Sequence, residues 1–122
     1  MTYAAFRSIG AYIPPKIMTN ADFEKIIDTS DEWITKRTGI KERRISEVDE
    51  ASSDLGSRAA EVAIQRAGIS KEEVDLVICA TVTPDYLCMP STACLIAAKV
   101  GLPPIMAFDI SAACTGFVYA IS

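Results

Sequence analysis

Apolar residues recur along the chain in two kinds of pattern, which together predict strands that alternate with helices. Residues 76–82 (LVICATV) and 105–110 (IMAFDI) are short, continuous apolar runs. Runs of this length between turn residues are typical of strands buried on both faces. Apolar residues at helical spacing occupy 52–67 and 91–100, and a glycine follows each segment. The alternation predicts a parallel α/β sheet with helices packed against it.

Capping and turn residues predict the shorter elements. Residues 3–13 are apolar and β-tolerant with a break at Gly10, so they predict a strand, a bend and a second extended piece. The other predicted elements are a helix over 21–27 capped by Asn20, a helix over 31–38 capped by Thr29 or Ser30 and ended by Gly39, a polar loop over 41–51, and one turn with a capping box between Ser70 and Glu73.

Composition narrows the class of protein. The chain has 122 residues, enough for one domain, and half of them are apolar while 23% are charged, as in ordinary globular proteins. The net charge of −4 argues against a nucleic-acid binder that neutralises phosphates. No apolar run reaches the length of a membrane span, and residues 1–10 lack the layout of a signal peptide. A cytoplasmic protein without membrane contact is expected.

The chain has four cysteines and no histidine. None of the cysteines forms a CxxC pair, so a zinc site is not expected, and Cys79, Cys88 and Cys94 are predicted to be small core residues. A nucleophilic cysteine normally needs a neighbouring base or a lowered pKa, and no imidazole is present to act as that base. The chain also ends inside a predicted helix. We therefore expect the N-terminal portion of a longer protein.

Cys114 is the candidate nucleophile. It follows a predicted buried strand, and a helix is predicted to begin at about Thr115. The small residues Ala112, Ala113 and Gly116 leave room for a substrate. A helix N-terminus favours a thiolate, and its free N–H groups can stabilise the oxyanion of a thioester under attack. On position alone, a packing role for this cysteine is equally well supported.

A second candidate site lies around Trp33. Thr29, Trp33 and Arg37 are four residues apart, so they are predicted to share one helix face. An indole offers a flat surface for stacking, and an arginine is suited to phosphate. From spacing alone, a core tryptophan and a solvated arginine are the favoured interpretation. The nearby basic cluster of Lys41, Arg43 and Arg44 is read as a solvated loop or as an attraction for acidic partners.

Four stretches carry a resemblance to a known family. They are TNAD (19–22), DTSDEWITKRTGIKERR (28–44), MPSTAC (89–94) and AFDISAACTGFVYA (107–120). The chain resembles the β-ketoacyl-acyl-carrier-protein synthase III family over nearly its whole length. The 28–44 block is highly specific, whereas the cysteine motif is shared with neighbouring branches of the thiolase superfamily.

The resemblance implies a thiolase-like α/β fold built from two similar βαβαβαββ halves, with residues 1–122 forming most of the first and the C-terminal half absent. It implies an acyltransferase that initiates type II fatty-acid synthesis. Cys114 would accept an acyl group from acetyl-CoA or another short acyl-CoA, and malonyl-acyl-carrier protein would then be decarboxylated and condensed with it. Acyl-CoA is a substrate, so no cofactor or metal is implied. The family's catalytic histidine and asparagine lie in the second half, so this chain alone is expected to be inactive.

The resemblance also assigns roles outside the cysteine. Trp33 would stack on the adenine of CoA, Thr29 would hydrogen-bond nearby, and Arg37 would reach the phosphates. Met89 would lie in a loop that crosses the interface of a homodimer and closes the partner's acyl pocket, with ordinary loop packing as the alternative.

Two alternatives remain open. A CoA-dependent condensing enzyme that starts a polyketide or quinolone pathway would carry the same cysteine motif, although the 28–44 block favours the fatty-acid branch. A truncated, non-catalytic domain that only folds or pairs would have no thiol of unusual reactivity.

Overall fold

The computed structural model describes residues 4–122. These residues divide into two compact units, which are described separately. The smaller unit is Ile13–Asp49, and the larger consists of Glu50–Ser122 together with the described residues up to Tyr12. The first residue of the strand predicted over 3–13 lies outside the described residues.

The smaller unit is built around an antiparallel pair of strands and two helices. Its elements are β1 (Lys16–Thr19), α1 (Asn20–Phe23), α2 (Asp31–Thr38) and β2 (Glu42–Ile45). Lys16 pairs with Ile45 at one end of the strand pair, and Thr19 pairs with Glu42 at the other. Two sequence predictions are corrected here: residues 42–45 form a strand rather than a loop, and the helix predicted over 21–27 ends at Phe23.

The caps in this unit explain where its helices begin and end. Thr19, rather than the predicted Asn20, is the N-cap of α1, because its side chain and that of Asp22 form a reciprocal capping box. Ser30 caps α2 as predicted, accepting a hydrogen bond from the Trp33 N–H at 3.1 Å. Gly39 ends α2 at a φ of 71°, the left-handed conformation that glycine adopts without strain.

The larger unit alternates helices and strands as predicted. Its elements are α3 (Ser52–Ala67), a 3₁₀ turn (Lys71–Glu73), β3 (Leu76–Ala80), α4 (Thr92–Val100), β4 (Met106–Ile110), a second 3₁₀ turn (Ala113–Thr115) and α5 (Gly116–Ala120). β3 and β4 are parallel, with Leu76 opposite Met106 and Ala80 opposite Ile110. The predicted capping box is present, with the Glu73 carboxylate accepting from the Ser70 N–H at 2.7 Å.

Residues 4–13 form no strand, contrary to the sequence prediction. The segment lies along α3 instead. The Ser8 hydroxyl donates to the Ala63 carbonyl at 2.7 Å, and the Arg66 guanidinium donates to the Ile9 carbonyl at 2.8 Å. A helix has no free ladder of backbone groups along its side, so a segment held by these contacts has no strand partner.

The core of the larger unit lies where α4 meets α3 and the sheet. Ala93, Ile96 and Val100 of α4 are buried. A Cβ at Gly56 of α3 would lie 2.6 Å from Ile96 Cδ1, so the glycine allows the two helices to approach closely. The longest helix in residues 4–122 is still too short to cross a membrane, and no described helix meets the requirements for a span.

The parallel strands are covered unequally on their two faces. α4 covers the face that carries Ala107 and Asp109, as its contacts with both residues show. Met106 and Phe108 point to the opposite face, since side chains alternate along a strand, and they are 69% and 43% exposed. The prediction of burial on both faces is therefore wrong for these strands, because only α5 covers part of the second face within the described chain.

Candidate active site

Cys114 lies in a tight turn that follows the carboxyl end of β4. Ala113 just before it has a φ of 45°, which is unusual for a residue with a side chain. The Thr115 N–H and hydroxyl both donate to the Ala112 carbonyl, at 3.1 and 2.8 Å, and close the 3₁₀ turn. The thiol of Cys114 is free and the residue is exposed. The turn after a parallel strand thus presents Cys114 to solvent, at the edge of the sheet where α/β proteins commonly bind ligands.

Gly116 has a different role from the one expected. As a small residue beside Cys114, it was expected to leave room for a substrate. The residue is buried, and a Cβ placed there would lie 3.1 Å from the Cβ of Ala80 in β3. The missing side chain therefore allows α5 to pack on the sheet. α5 begins at Gly116, one residue later than predicted, so Cys114 belongs to the preceding 3₁₀ turn.

Asp109 joins the end of β4 to the start of α4. Its carboxylate accepts hydrogen bonds from the N–H groups of Thr92 at 2.8 Å and Ala93 at 2.7 Å. The first N–H groups of a helix have no partner within it, and their partial positive charge favours an anion. The Ser91 hydroxyl accepts from the Cys94 N–H at 3.3 Å and completes the cap. The Asp109 side chain thus fixes the start of α4 relative to β4, the strand that leads to Cys114.

Asp85 holds the loop between β3 and α4. Its carboxylate accepts from the N–H of Ser53 at 2.9 Å and from the hydroxyl of Ser53 at 2.5 Å, while its own N–H donates to the Thr92 hydroxyl at 3.3 Å. The loop is thereby tied to the N-termini of both α3 and α4. Met89 lies further along the same loop and is 74% exposed, so it does not pack within the described chain.

A surface depression lies beside this loop at the carboxyl ends of the two parallel strands. Among the described residues that line it are Thr81, Leu87, Cys88, Ser91 and Ser111. Cys114 and Met89 are not among its lining residues. The two residues expected to act on the acyl group, Cys114 and Met89, are thus both exposed in the larger unit, and this depression does not bring them together.

Two of the other cysteines depart from expectation. Cys88 and Cys94 were predicted to be core residues, yet both are exposed, because one lies in the loop and the other near the start of α4. Cys79 in β3 is partly buried. Removal from water, followed by the nearby carboxylates of Asp109 and Asp85, raises the pKa of the Cys79 thiol.

The second candidate site is a stacked pair on α2. The guanidinium carbon of Arg37 lies 4.5 Å from the centre of the Trp33 ring, within the range of a cation–π contact. Trp33 is 54% exposed, so the interpretation of it as a core residue is wrong. Ser30, Glu32 and Lys36 line the same depression as this pair. The arrangement offers an aromatic surface beside two cations.

Thr29 lies beside this pair but outside the helix. It precedes the N-cap Ser30, so the prediction that it shares a helix face with Trp33 and Arg37 is wrong. It lines a second depression together with Asp28, Ser30 and Trp33. Thr29 and Trp33 nevertheless line one depression, although they do not share a helix face.

The basic cluster is partly used within the fold. Arg43 lies over the Phe23 ring at 4.7 Å and donates to the Asn20 side-chain oxygen. Arg44 donates to the Pro14 carbonyl at 3.2 Å. Both arginines belong to β2 rather than to a loop. These contacts favour a structural role for Arg43, which is half-buried, whereas Arg44 and Lys41 are both exposed.

Known proteins match this chain over all or nearly all of its length. The β-ketoacyl-[acyl-carrier-protein] synthase III of Aliarcobacter butzleri (strain RM4018) is 84% identical over 122 residues, which are 100% of this chain and 37% of that protein. The protein of the same name from Sulfurovum sp. (strain NBC37-1) is 66% identical over 120 residues, which are 98% of this chain and 35% of that protein. The chain therefore spans little more than a third of these relatives. No family model matches it.

Solved structures share the fold. The 3-oxoacyl-[acyl-carrier-protein] synthase III of Aquifex aeolicus VF5 has a TM-score of 0.88 at 53% identity, over 93% of this chain and 36% of that one. The priming β-ketosynthase of the R1128 polyketide pathway has a TM-score of 0.89 at 36% identity, over 95% of this chain and 34% of that one. The chain has the α/β fold of a thiolase-like condensing enzyme. Along its whole length it is similar to the β-ketoacyl-[acyl-carrier-protein] synthase III proteins, as its motifs predicted.

Proposed function

We propose that this chain is the N-terminal portion of a β-ketoacyl-[acyl-carrier-protein] synthase III, with residues 1–122 forming most of its first half. The whole enzyme would initiate type II fatty-acid synthesis in the cytoplasm by condensing acetyl-CoA, or another short acyl-CoA, with malonyl-acyl-carrier protein. The observation that carries the proposal is the exposed thiol of Cys114, in the turn after β4, within a chain that is 84% identical to a protein of that name.

Acylation would proceed through Cys114. Its thiolate attacks the thioester carbonyl of acyl-CoA, and the tetrahedral intermediate then collapses. CoA leaves as a thiolate and the acyl group stays on the sulfur. Trp33 and Arg37 would bind the adenine and phosphates of CoA, with Thr29 hydrogen-bonding beside them, because an exposed indole and a guanidinium suit these groups.

Condensation would need groups that the chain does not supply. Loss of CO₂ from malonyl-acyl-carrier protein leaves an enolate, which attacks the acyl thioester and expels the Cys114 thiolate. The chain has no histidine, and its single asparagine, Asn20, is 2% exposed and fully engaged in hydrogen bonds. We therefore expect the 122-residue chain alone to be inactive in condensation.

Met89 would shape the acyl pocket. Its side chain projects from a loop that Asp85 ties down, and in a homodimer it would close the partner's pocket. Methionine is flexible and polarizable, so it would accept acyl groups of more than one size.

Mass spectrometry of the full-length protein after incubation with acetyl-CoA tests the proposal. One acetyl group is expected on Cys114 and none in Cys114→Ala, whereas Cys94→Ala, which removes another exposed thiol, should acetylate normally. Acetylation at another residue, or its persistence in Cys114→Ala, would overturn the assignment.

The similarity to a polyketide priming synthase supports a second candidate of the same chemistry. Product formation with malonyl-acyl-carrier protein, compared with malonyl-CoA alone, separates the two candidates. The fatty-acid enzyme requires the carrier protein.

A truncated, non-catalytic domain would instead show no activated thiol when the cysteines are titrated with iodoacetamide against pH, so Cys114 would not react at a lower pH than the other cysteines.

A further inference from the structure

We propose that Asn20 is a positioning residue for the CoA-binding surface formed by Trp33 and Arg37. The inference rests on the proposed function, because it assigns this residue to the recognition of acyl-CoA. Asn20 does not touch the proposed ligand, and it would act through the helix that carries the two binding residues.

Asn20 is a buried residue whose side-chain amide forms all its hydrogen bonds with residues of the smaller unit. It is 2% exposed. Its side-chain NH₂ group donates to the Asp31 carboxylate at 2.7 Å and to the Ile40 carbonyl at 2.8 Å, with the Thr35 hydroxyl at 3.3 Å. The Asn20 side-chain oxygen accepts from the Arg43 guanidinium. No other side chain of this size offers two donors and one acceptor in the same plane.

These partners lie at both ends of α2. Asp31 is the first residue of the helix, and Ile40 follows the Gly39 cap that ends it. One amide group therefore fixes the helix start and the chain just beyond its end. The Asn20 N–H also donates to the Lys41 carbonyl at 3.1 Å, so the exit from the helix is held twice.

The contacts grip α2 from the side opposite the proposed ligand. Asp31 and Thr35 are four residues apart and share one face of the helix, and their side chains are themselves joined at 3.2 Å. Trp33 is two residues on from Asp31, and Arg37 is two on from Thr35. At about 100° per residue, the second pair is rotated by roughly 200° from the first. The amide thus holds the back of the helix while its front presents the indole and the guanidinium.

Replacement of Asn20 by aspartate keeps the shape of the side chain and reverses its hydrogen bonding. A carboxylate would then face the Asp31 carboxylate and the Ile40 carbonyl, so acceptors would oppose acceptors at both ends of α2. The helix has to move away, and the stacked pair moves with it. Binding of CoA should weaken, whereas acyl transfer at saturating acyl-CoA should not.

The experiment uses the full-length enzyme and measures the Kd of CoA by calorimetry, together with kcat and both KM values. For Asn20→Asp we expect the Kd of CoA and the KM of acetyl-CoA to rise about tenfold or more, because small misplacements of binding groups are costly. The kcat and the KM of malonyl-acyl-carrier protein should stay within about twofold of wild type, because the residues that carry out acyl transfer and condensation do not depend on the position of α2. Asp22→Asn is the matched control, since it removes the carboxylate charge from the capping box of α1 and from the ion pair with Lys25 and alters no hydrogen bond to α2.

The outcomes separate this inference from the proposed function. A wild-type enzyme that binds CoA, with an unchanged Kd in Asn20→Asp, would overturn the inference alone. An equal loss in Asp22→Asn would also overturn it, since any damage to the segment would then suffice. A wild-type enzyme that binds no CoA would overturn the proposed function and the inference together. If Asn20→Asp does not fold, Thr35→Val decides: a rise in Kd of about threefold supports the inference, and no change overturns it.

Discussion

Arg37 is the residue whose geometry makes the most specific demand on its ligand. Its guanidinium lies 4.5 Å from the centre of the Trp33 ring. Among the described residues it forms no ion pair. A planar cation can stack on an indole and still direct several N–H groups towards phosphate, whereas an ammonium group is a compact point charge. The proposed role in CoA binding therefore depends on shape as well as charge.

Substitution of Arg37 separates these two contributions. In the full-length enzyme, Arg37→Ala should raise the KM of acetyl-CoA by about tenfold or more, and Arg37→Lys should recover only part of that loss. Steady-state kinetics with varied acetyl-CoA measures both. Lys16→Met removes an exposed cation from β1 of the same unit and is the control. Equal behaviour of Arg37→Lys and wild type would show that shape does not matter.

The thiols should differ in reactivity according to their surroundings. Desolvation and the Asp109 and Asp85 carboxylates raise the pKa of Cys79. At a given pH a smaller fraction of its thiol is therefore ionised than for an ordinary cysteine. Brief alkylation with iodoacetamide at pH 8, followed by peptide mass spectrometry, should find Cys79 the least modified cysteine. The same reaction in denaturant should remove the difference. Rapid modification of native Cys79 would contradict this account.

At the scale of elements, Gly10 is where the N-terminal segment lies close against the backbone of α3. A Cβ there would meet the backbone of α3, lying 2.5 Å from the Ala63 nitrogen and 2.9 Å from the Ala63 Cβ, with the Ala59 carbonyl closer still. Backbone atoms of a helix cannot move aside as a flexible side chain can. The N-terminal segment therefore depends on the absence of a side chain at this position.

Gly10→Ala should accordingly lower the free energy of unfolding by about 3 kcal/mol, the cost of a forced overlap with backbone. Urea denaturation followed by circular dichroism measures it. Ala11→Ser, at the exposed next position, should stay within about 0.5 kcal/mol of wild type. A stable Gly10→Ala variant would mean that the segment does not lie against α3 as described.

The elements that the sequence predicted well share one property: their signals are local. Gly39, Gly68 and Gly101 each follow a helix, and all three adopt positive φ at its end. β1 and β2 were missed because KIMT and ERRI have little apolar alternation and gain their structure from pairing with each other. The hydrogen bonds of Asp85 to Ser53 and of Asp109 to Thr92 were missed for the same reason, since their partners are 32 and 17 residues away.

The candidate site shows the same division. Cys114, Trp33 and Arg37 were found from residue type and motif, and the structure places the first in a turn and the other two in contact. Position alone gave Cys114 no preference over a packing role, so the motif decided. The partners of Asn20 come from α2, the loop after it and β2, and no pattern in the sequence indicates that they meet at one amide.

For the whole molecule, the titrating groups predict the dependence of stability on pH. Hydrogen bonds hold the pKa of three aspartate carboxyls below the ordinary value of 3.8: from Thr19 to Asp22, from Asn20 to Asp31 and from Lys99 to Asp54. A carboxyl whose pKa is lowered by folding contributes stability above its unfolded pKa and loses it as pH falls through the folded value. For the Cys79 thiol the sign is opposite, because folding raises its pKa. Its contribution to stability is present below the ordinary thiol pKa of 9.0 and is lost as pH rises through the raised pKa of the folded state.

Stability should therefore be highest on a plateau between about pH 4 and pH 9 and fall on both sides. Denaturant melts of the full-length protein, carried out within this range and on both sides of it, test the shape. The triple variant Asp22→Asn, Asp31→Asn, Asp54→Asn should flatten the acid side, and Cys79→Ala the alkaline side. An acid limb of unchanged steepness in the triple variant would assign the loss of stability to other groups.

Trp33 is the single tryptophan among the 122 residues, and its side chain is half exposed on the face of α2 that also carries Arg37. The intrinsic fluorescence of this chain, excited at the red edge of its absorption, therefore comes from one indole beside one guanidinium. Its emission reports on that helix face, and a purine stacked on the ring would quench it. The residue proposed to recognise the nucleotide is thus also a built-in optical probe of whether the nucleotide is there.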